Sequence, residues 1–417
     1  MKTAGIIAEY NPFHQGHLYQ MQYTKEALGA DYIVVAMSGD YVQRGTPALL
    51  PKHVRARMAL LCGADLILEL PASVSSASAE FFAQGGVSVL DELGVIDLLC
   101  FGSEEGELPF FLQTADILIR EPDSYKSVLQ TCLKSGMSFP CARSQALLTC
   151  FTQKNPDTDK IRLSDFLSSP NNILGIEYCK ALLKRNSKIM PVTLKREGAA
   201  YHETKLEQAQ APSASGIRSY LNQTQELTEE DIHEHLLPFL PEASLSLLMD
   251  SFSRHAYLTV DDLDILLHYC LLGETPETLC QYPDISADLA ARIIHLRNQY
   301  RGFIAFAGLL KTKELTRTRI QRALLHIVLG IKNSPLQLPY ARVLGFRKSA
   351  GPLLKAIKKE GKIPLITKLA DASRILDREA MALLRETTYT SGIYESLLCQ
   401  KAGKPFVHEY EKPVIII

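Results

Sequence analysis

A chain of 417 residues has room for two or three domains, and a composition of 46% apolar and 22% charged residues excludes wholesale disorder. No apolar run approaches the roughly 18–20 residues of a membrane helix. The nine cysteines are dispersed without a C-x-x-C pair, which argues against a disulfide framework or a structural zinc. The opening stretch, residues 1–8, is too short an apolar run before Glu9 for a secretory segment, so the expected compartment is the cytoplasm.

In chain order, short apolar runs predict strands over residues 4–8, 32–37, 65–70 and 96–101. Amphipathic helices are predicted between them, over 16–28, 52–62 and 78–93. Strand, helix and strand at about 30 residues per unit imply right-handed βαβ crossovers and a parallel sheet. A helix over 176–183 and a strand over 189–194 follow. The expected fold class is therefore α/β, with a Rossmann-like domain over residues 1–221. From 227 to 330 the apolar spacing turns helical, as in Leu236, Leu237, Phe239 and Leu240 or Leu324, Leu325, Ile327 and Val328. A mainly helical second domain is expected over 222–417. It includes a small α/β appendage with a strand at 341–346, a basic helix around 353–359 and a further apolar run at 363–367.

The formal net charge of −1 conceals a strong local asymmetry. From Asn222 to Asp288, 14 acidic residues accompany one base, Arg254; from Ala291 to Ile363, 16 Lys and Arg accompany two acids, Glu314 and Glu360. A polyanion would meet the second block and not the average. The alternative is a solvated basic face that balances its acidic neighbour.

The strongest chemical signal is Asn11-Pro12-Phe13-His14-Gln15-Gly16-His17, directly after the first predicted strand. Loops at the carboxyl ends of parallel strands line the ligand crevice. Amides opening a helix attract anions, and imidazole N–H groups donate to phosphate oxygens. Gly16 leaves space for a phosphate chain. Such a site can stabilise charge on a phosphate under attack without a covalent role for the protein. A histidine loop with a packing glycine is the plainer reading.

His14-Gln15-Gly16-His17 resembles the H-x-G-H motif of the nucleotidyltransferase superfamily. Ser213-Ala214-Ser215-Gly216-Ile217-Arg218 resembles its second, triphosphate-holding motif, with Ala214 in place of the usual central hydroxyl residue. Here Ser213 or Ser215 is a suitable N-cap, and Arg218 supplies a charge-assisted fork. A closer resemblance, to the bacterial tRNA(Met) cytidine acetate ligase family, runs through nearly the whole chain. It is carried by 8–14, Met37-Ser38-Gly39-Asp40-Tyr41-Val42-Gln43-Arg44-Gly45, 63–71, Phe101-Gly102-Ser103-Glu104, 170–178, 195–202 and 340–346.

The resemblance implies an enzyme that activates acetate with ATP as acetyl-adenylate and acetylates N4 of the wobble cytidine of elongator methionine tRNA. His14, His17 and Arg218 would neutralise charge on the phosphates. Ile7, Ala8, Glu9, Tyr10, Asn11, Pro12, Phe13, His14, Gln15, Gly16, His17, Leu18, Tyr19 and Gln20 would wrap the ATP. Gly102 would lie against the nucleotide, Asn172 and Arg196 would complete its pocket, and Ser213 and Ser215 would meet phosphate. Mg²⁺ would be carried by the phosphates, with no metal site in the protein. Asp40 is a candidate catalytic residue, as a base or a phosphate-metal orienter, with a loop cap as the alternative. Glu104 has the same ambiguity. Arg44 and Lys52 could meet pyrophosphate or RNA, with a plain surface charge as the commoner reading of each.

Lys311, Lys313, Arg317, Arg319 and Arg322 are candidate tRNA contacts, with Arg347, Lys348, Lys355, Lys358, Lys359 and Lys362 as a second positive stretch. Tyr300, Phe303 and Phe306 are read as core, with base stacking as the alternative. Nothing in the residues implies a membrane partner or a particular oligomeric state. Two rival functions remain: an adenylate-forming ligase or adenylyltransferase acting on a small cofactor or protein-bound thiol, and an RNA-binding protein with a regulatory nucleotide site.

Overall fold

The computed structural model describes residues 1–154, 159–196, 213–223 and 228–417; the Glu197 to His202 part of the resemblance lies outside them. Seven strands form a single path in the order β10 (Ile415–Ile416), β8 (Ala341–Phe346), β5 (Leu66–Leu70), β2 (Tyr32–Ser38), β1 (Thr3–Ala8), β6 (Leu98–Ser103) and β7 (Met190–Lys195). An eighth, β9 (Leu365–Ile366), pairs with β8, and β3 (Tyr41–Val42) and β4 (Thr46–Pro47) form a separate hairpin. The pairs β1/β2, β1/β6, β2/β5 and β6/β7 are parallel, as the alternation of strands and helices predicts.

The central strands are apolar on both faces: Ile33 to Met37 of β2 are fully buried, because helices cover the sheet on either side. The chain builds outward from β1 to β2 and β5, then crosses back to β6 and β7. The strand order therefore reverses at β1, and a crevice opens beyond the carboxyl ends of β1 and β6.

The strand expected at 341–346 is present, but it is not part of a free-standing appendage. It joins the central sheet antiparallel to β5, pairing Leu66 with Phe346 and Glu69 with Arg342. The chain thus leaves the sheet after residue 195 and returns to it at 341, so one sheet draws strands from both sides of the boundary expected at 221. The helical segment between carries its own core of Leu263, Leu267, Leu271, Phe303, Phe306 and Leu324, which also takes in Tyr41, Tyr394 and Leu398.

A helix at Arg378–Ala402, which the sequence reading does not include, runs beneath this core. Asp377 caps its start by accepting the Ala380 N–H at 2.8 Å, and Gly403 ends it with a left-handed φ of 62°. Its Thr-rich centre weakens the helical pattern, and Thr387 bonds back to the Leu383 carbonyl at 2.8 Å. Among the described residues, no helix is long and apolar enough to cross a membrane.

Candidate active site

A cavity of about 230 Å³ opens at the reversal of strand order. Its wall includes Ile7, Ala8, Glu9, Tyr10, Asn11, His14, Gly16, His17, Tyr19 and Gln20 from the first motif, with Gly102, Arg196, Ser213, Ser215 and Arg218. The two motifs, some 200 residues apart in the sequence, therefore meet on one wall. Four cations, Arg44, Lys195, Arg196 and Arg218, line it against one acid, Glu9, among the described residues. That balance suits a polyanion.

The histidines are fixed by the start of the helix Gln15–Glu26. His14 is its N-cap, and its Nδ1 accepts the Gly16 N–H at 3.1 Å. His17 closes a reciprocal capping box, its Nδ1 accepting the His14 N–H at 3.2 Å. An Nδ1 that accepts an N–H carries the lone pair, so each neutral ring bears its proton on Nε2 and offers it as a donor. The rings stack with centroids 3.7 Å apart, and Tyr10 and Phe13 meet His17 at 4.8 and 5.4 Å.

Burial, with Arg196 and Arg218 nearby, pushes His14 down to about 3. Burial, with His14 and Arg196, also holds His17 well below its ordinary value. Both rings are neutral donors at physiological pH, and the positive charge of the site comes from arginine and lysine. Gly16 has a further role beside the space expected of it: a Cβ there would stand 3.0 Å from Cε1 of His14 and press on the capping ring.

Ser213 caps the helix Ala214–Gln223, accepting the Gly216 N–H at 3.0 Å. Ser215 accepts from Arg218 Nη2 at 3.4 Å, and Arg218 Nη1 donates to the Asn11 carbonyl, tying the second motif to the first. A Cβ on Gly102 would touch the Arg196 side chain at 3.4 Å, an ordinary contact.

Pro12, Phe13, Gln15, Leu18 and Asn172 are not on the described wall. Phe13 is fully buried behind His17. The Asn172 side-chain oxygen instead accepts the N–H groups of Glu104 and Glu105 at 3.0 and 3.1 Å. Glu104 returns the bond, accepting from Asn171 Nδ2 at 2.7 Å and the Asn172 N–H at 3.0 Å, and so caps the helix Pro170–Lys184. Asn171, its neighbour, lines the cavity.

Asp40 is also off the described wall. It is 6% exposed, accepts the Lys52 N–H at 3.1 Å where Pro51 offers no side-chain cap, and lies 3.3 Å from Lys52 Nζ. Burial alone would raise its carboxyl, but Lys52 holds it below the ordinary value. This geometry matches the loop-capping alternative. Lys52 is corrected outright as a pyrophosphate or RNA contact: it is 1% exposed and paired with Glu69 at 2.6 Å and Glu409 at 3.0 Å.

Phe303 and Phe306 are buried core, and the Tyr300 hydroxyl donates to the Asp264 carbonyl at 2.9 Å. Lys311, Lys313 and Arg317 are exposed, whereas Arg322 pairs with Asp284 at 2.8 Å and Arg319 lies 3.7 Å from the same carboxylate. Arg347 is committed to the Leu60 and Ala64 carbonyls.

The sequence reading misses Gln43, Tyr178, Leu174, Phe82 and Lys195 on the wall, and it misses Arg55 beneath it. Arg55 is fully buried and donates to the carbonyls of Glu9 at 2.5 Å, Ser38 at 3.1 Å, Leu50 at 2.9 Å and Gly39. It thereby pins the ends of β1 and β2. Gln43, Leu174, Tyr178 and Lys195 all lie within stretches singled out by resemblance, which was the available signal. Nothing local marks Arg55. Among the described residues, no group of three or more His, Cys, Asp or Glu could hold a metal ion.

The sequence matches the HIGH nucleotidyl transferase family over residues 1–405. It is 37% identical to a tRNA(Met) cytidine acetate ligase of Acetivibrio thermocellus, over 97% of this chain and 98% of that one. It is 40% identical to the Clostridium acetobutylicum protein of the same name, over the full length of both. Two crystal structures of Thermotoga maritima TmcAL match the full length of both chains at 28% identity. The form bound with alpha-thio ATP gives a TM-score of 0.89, and the apo form gives 0.92.

Proposed function

The chain belongs to the HIGH nucleotidyltransferase family and, within it, to the tRNA(Met) cytidine acetate ligases, and from that membership we propose that it binds ATP, activates acetate as acetyl-adenylate and acetylates N4 of the wobble cytidine of elongator methionine tRNA. The observation that carries the reading is the single wall on which two neutral Nε2–H donors and four cations converge.

In the first half-reaction an acetate oxygen attacks the α-phosphorus, the bond to the bridging oxygen breaks and pyrophosphate leaves. The protein needs no nucleophile for this step; it must receive growing negative charge. His14 and His17 donate to phosphate oxygens from Nε2. Arg218, Arg196, Lys195 and Arg44 supply countercharge to the leaving pyrophosphate, and the Ser213-capped helix turns its amides toward it. Gly102 leaves the nucleotide room beside β6. Mg²⁺ arrives with the nucleotide as part of the substrate.

In the second half-reaction the cytidine amine displaces AMP. Lys311, Lys313 and Arg317 are the foremost candidates to meet the RNA backbone; Arg319 and Arg322 approach it already paired with Asp284. The working compartment in this reading is the cytoplasm.

Acetate-dependent exchange of labelled pyrophosphate into ATP tests the first half, and tRNA-dependent consumption of the adenylate tests the acceptor. The expected result is exchange without tRNA, with AMP accumulating stoichiometrically once tRNA is added. Exchange that tRNA leaves untouched would point to a small-molecule or thiol acceptor. ATP binding without exchange would favour a regulatory nucleotide site.

A further inference from the structure

Acetyl transfer to cytidine forms a bond between N4 and the acetyl carbonyl carbon. It breaks the carbon–oxygen bond to AMP, which leaves with that electron pair, and it releases one proton from N4. A protein group that takes this proton must stand on the cavity wall with a lone pair to spare.

His14 and His17 do not qualify, since each Nδ1 lone pair already accepts a backbone N–H and each Nε2 carries a proton. Asp40 faces Lys52 off the wall, and Glu104 caps a helix. Burial raises the Tyr10 and Tyr178 phenols and keeps them protonated.

Glu9 remains, the one acidic side chain on the wall among the described residues. It directly follows the last residue of β1 and is half-buried. Its Oε1 accepts the Gln43 N–H at 2.9 Å, and its own carbonyl is held by Arg55 at 2.5 Å, so side chain and backbone are both anchored while Oε2 accepts no hydrogen bond among the described residues.

Its position points to the acceptor side of the cavity. Gly102 lies in β6, beside β1, whereas Gln43 belongs to the β3–β4 hairpin that directly follows β2, on the other side of β1 in the strand order. The hairpin tip packs on the helix Arg317–Leu329, whose first turn carries candidate RNA contacts. At Gly45, where φ is +74°, a Cβ would come within 2.5 Å of the Gln321 carbonyl carbon.

We propose that Glu9 is the general base of the transfer half-reaction, its Oε2 accepting the N4 proton as the amine attacks. The inference rests on the function proposed above. It assigns Glu9 to the second chemical step, separately from the phosphate-directed histidines and arginines of the first.

The test supplies synthetic acetyl-adenylate directly and follows single-turnover transfer to unmodified elongator methionine tRNA, at saturating adenylate. Glu9→Gln is expected to slow this step by about 10²–10⁴-fold against wild type, and Glu9→Asp to recover part of the loss. A Glu9→Gln rate within about threefold of wild type at saturation would overturn the assignment, given what a positioned base contributes. So would a variant impaired only in adenylate affinity. Wild-type protein that binds acetyl-adenylate and transfers nothing would bring down the proposed function and Glu9 with it, an outcome distinct from a fast variant beside an active wild type.

Discussion

Each motif histidine has two jobs in the proposed reaction: its Nδ1 holds the helix start, and its Nε2 is the proposed donor to the ligand. The two can be separated. Asparagine is a good N-cap, so His14→Asn is expected to keep folding stability within about 1 kcal/mol by urea denaturation. It loses the Nε2 donor, however, and acetate-dependent pyrophosphate exchange should fall by about 10²–10³-fold. Both histidines also make the free protein acid-sensitive. Their folded-state pKa values are lowered, to about 3 for His14, while the unfolded chain takes up protons near the ordinary value of 6.5. Below 6.5 the unfolded state therefore binds more protons, and stability falls with pH down to about 3, where His14 titrates in the fold. Denaturant midpoints at pH 7.5 and 4.5 should differ more in wild type than in His17→Gln. His14, His17 and Arg218 were legible because a short motif encodes their local geometry. Asp40 could be read only as a choice among base, phosphate-metal orienter and loop cap, since its partner is the buried Lys52, which Glu409 far along the chain also holds.

Helix termini organise the site: three helices begin at its edge, started by His14, by Ser213 and by the Glu104–Asn172 exchange. The strands of the sheet's first half and the helices near 16–28, 52–62, 78–93 and 176–183 could be read from apolar spacing because a doubly covered sheet imposes it; the helices Leu108–Arg120, Asp123–Lys134, Phe139–Lys154 and Lys160–Ser168 were not read. The bonds holding the strand ends in register could not, because they run from side chains to carbonyls of unrelated sequence. Arg55 is the main case. Its guanidinium satisfies carbonyls of Glu9, Ser38, Gly39 and Leu50, so Arg55→Met is expected to cost about 3 kcal/mol or more in urea denaturation, at about 1–3 kcal/mol per orphaned buried acceptor. Arg55→Lys should rescue little of this, as one ammonium cannot span the same fork. The helix Arg378–Ala402 escaped notice for a different reason: the middle of its buried face is Thr387, Thr388, Thr390, Ser391 and Tyr394, with the aliphatic Ala380, Leu384 and Leu398 only toward its ends.

The molecule is joined across its length by a buried charge network. Lys52 and Arg342 hold Asp40, Glu69 and Glu409, and Ser391 accepts from Lys52 at 2.7 Å, so distant segments share one polar cluster. Removing one cation strands carboxylates in the interior. Lys52→Met is expected to lower stability by about 3–5 kcal/mol in a single cooperative transition, rather than loosening the C-terminal segment alone. Part of the basic excess serves the fold, Arg322 and Arg342 through carboxylates and Arg347 through carbonyls; Lys348, Lys355, Lys358, Lys359 and Lys362 stay exposed, as do the first stretch's RNA candidates Lys311, Lys313 and Arg317. Converting those three to glutamine should raise the KM for tRNA. The log–log salt dependence of binding should become shallower by about 0.7–0.9 for each backbone phosphate that the variant no longer neutralises. The proposed reaction leaves a covalent product. Unmodified elongator methionine tRNA, incubated with ATP, Mg²⁺, isotopically labelled acetate and either wild type or His17→Ala, is digested to nucleosides and analysed by mass spectrometry. The expected result is labelled N4-acetylcytidine with wild type and none with the variant; unlabelled cytidine from a folded, ATP-binding wild-type protein would contradict it.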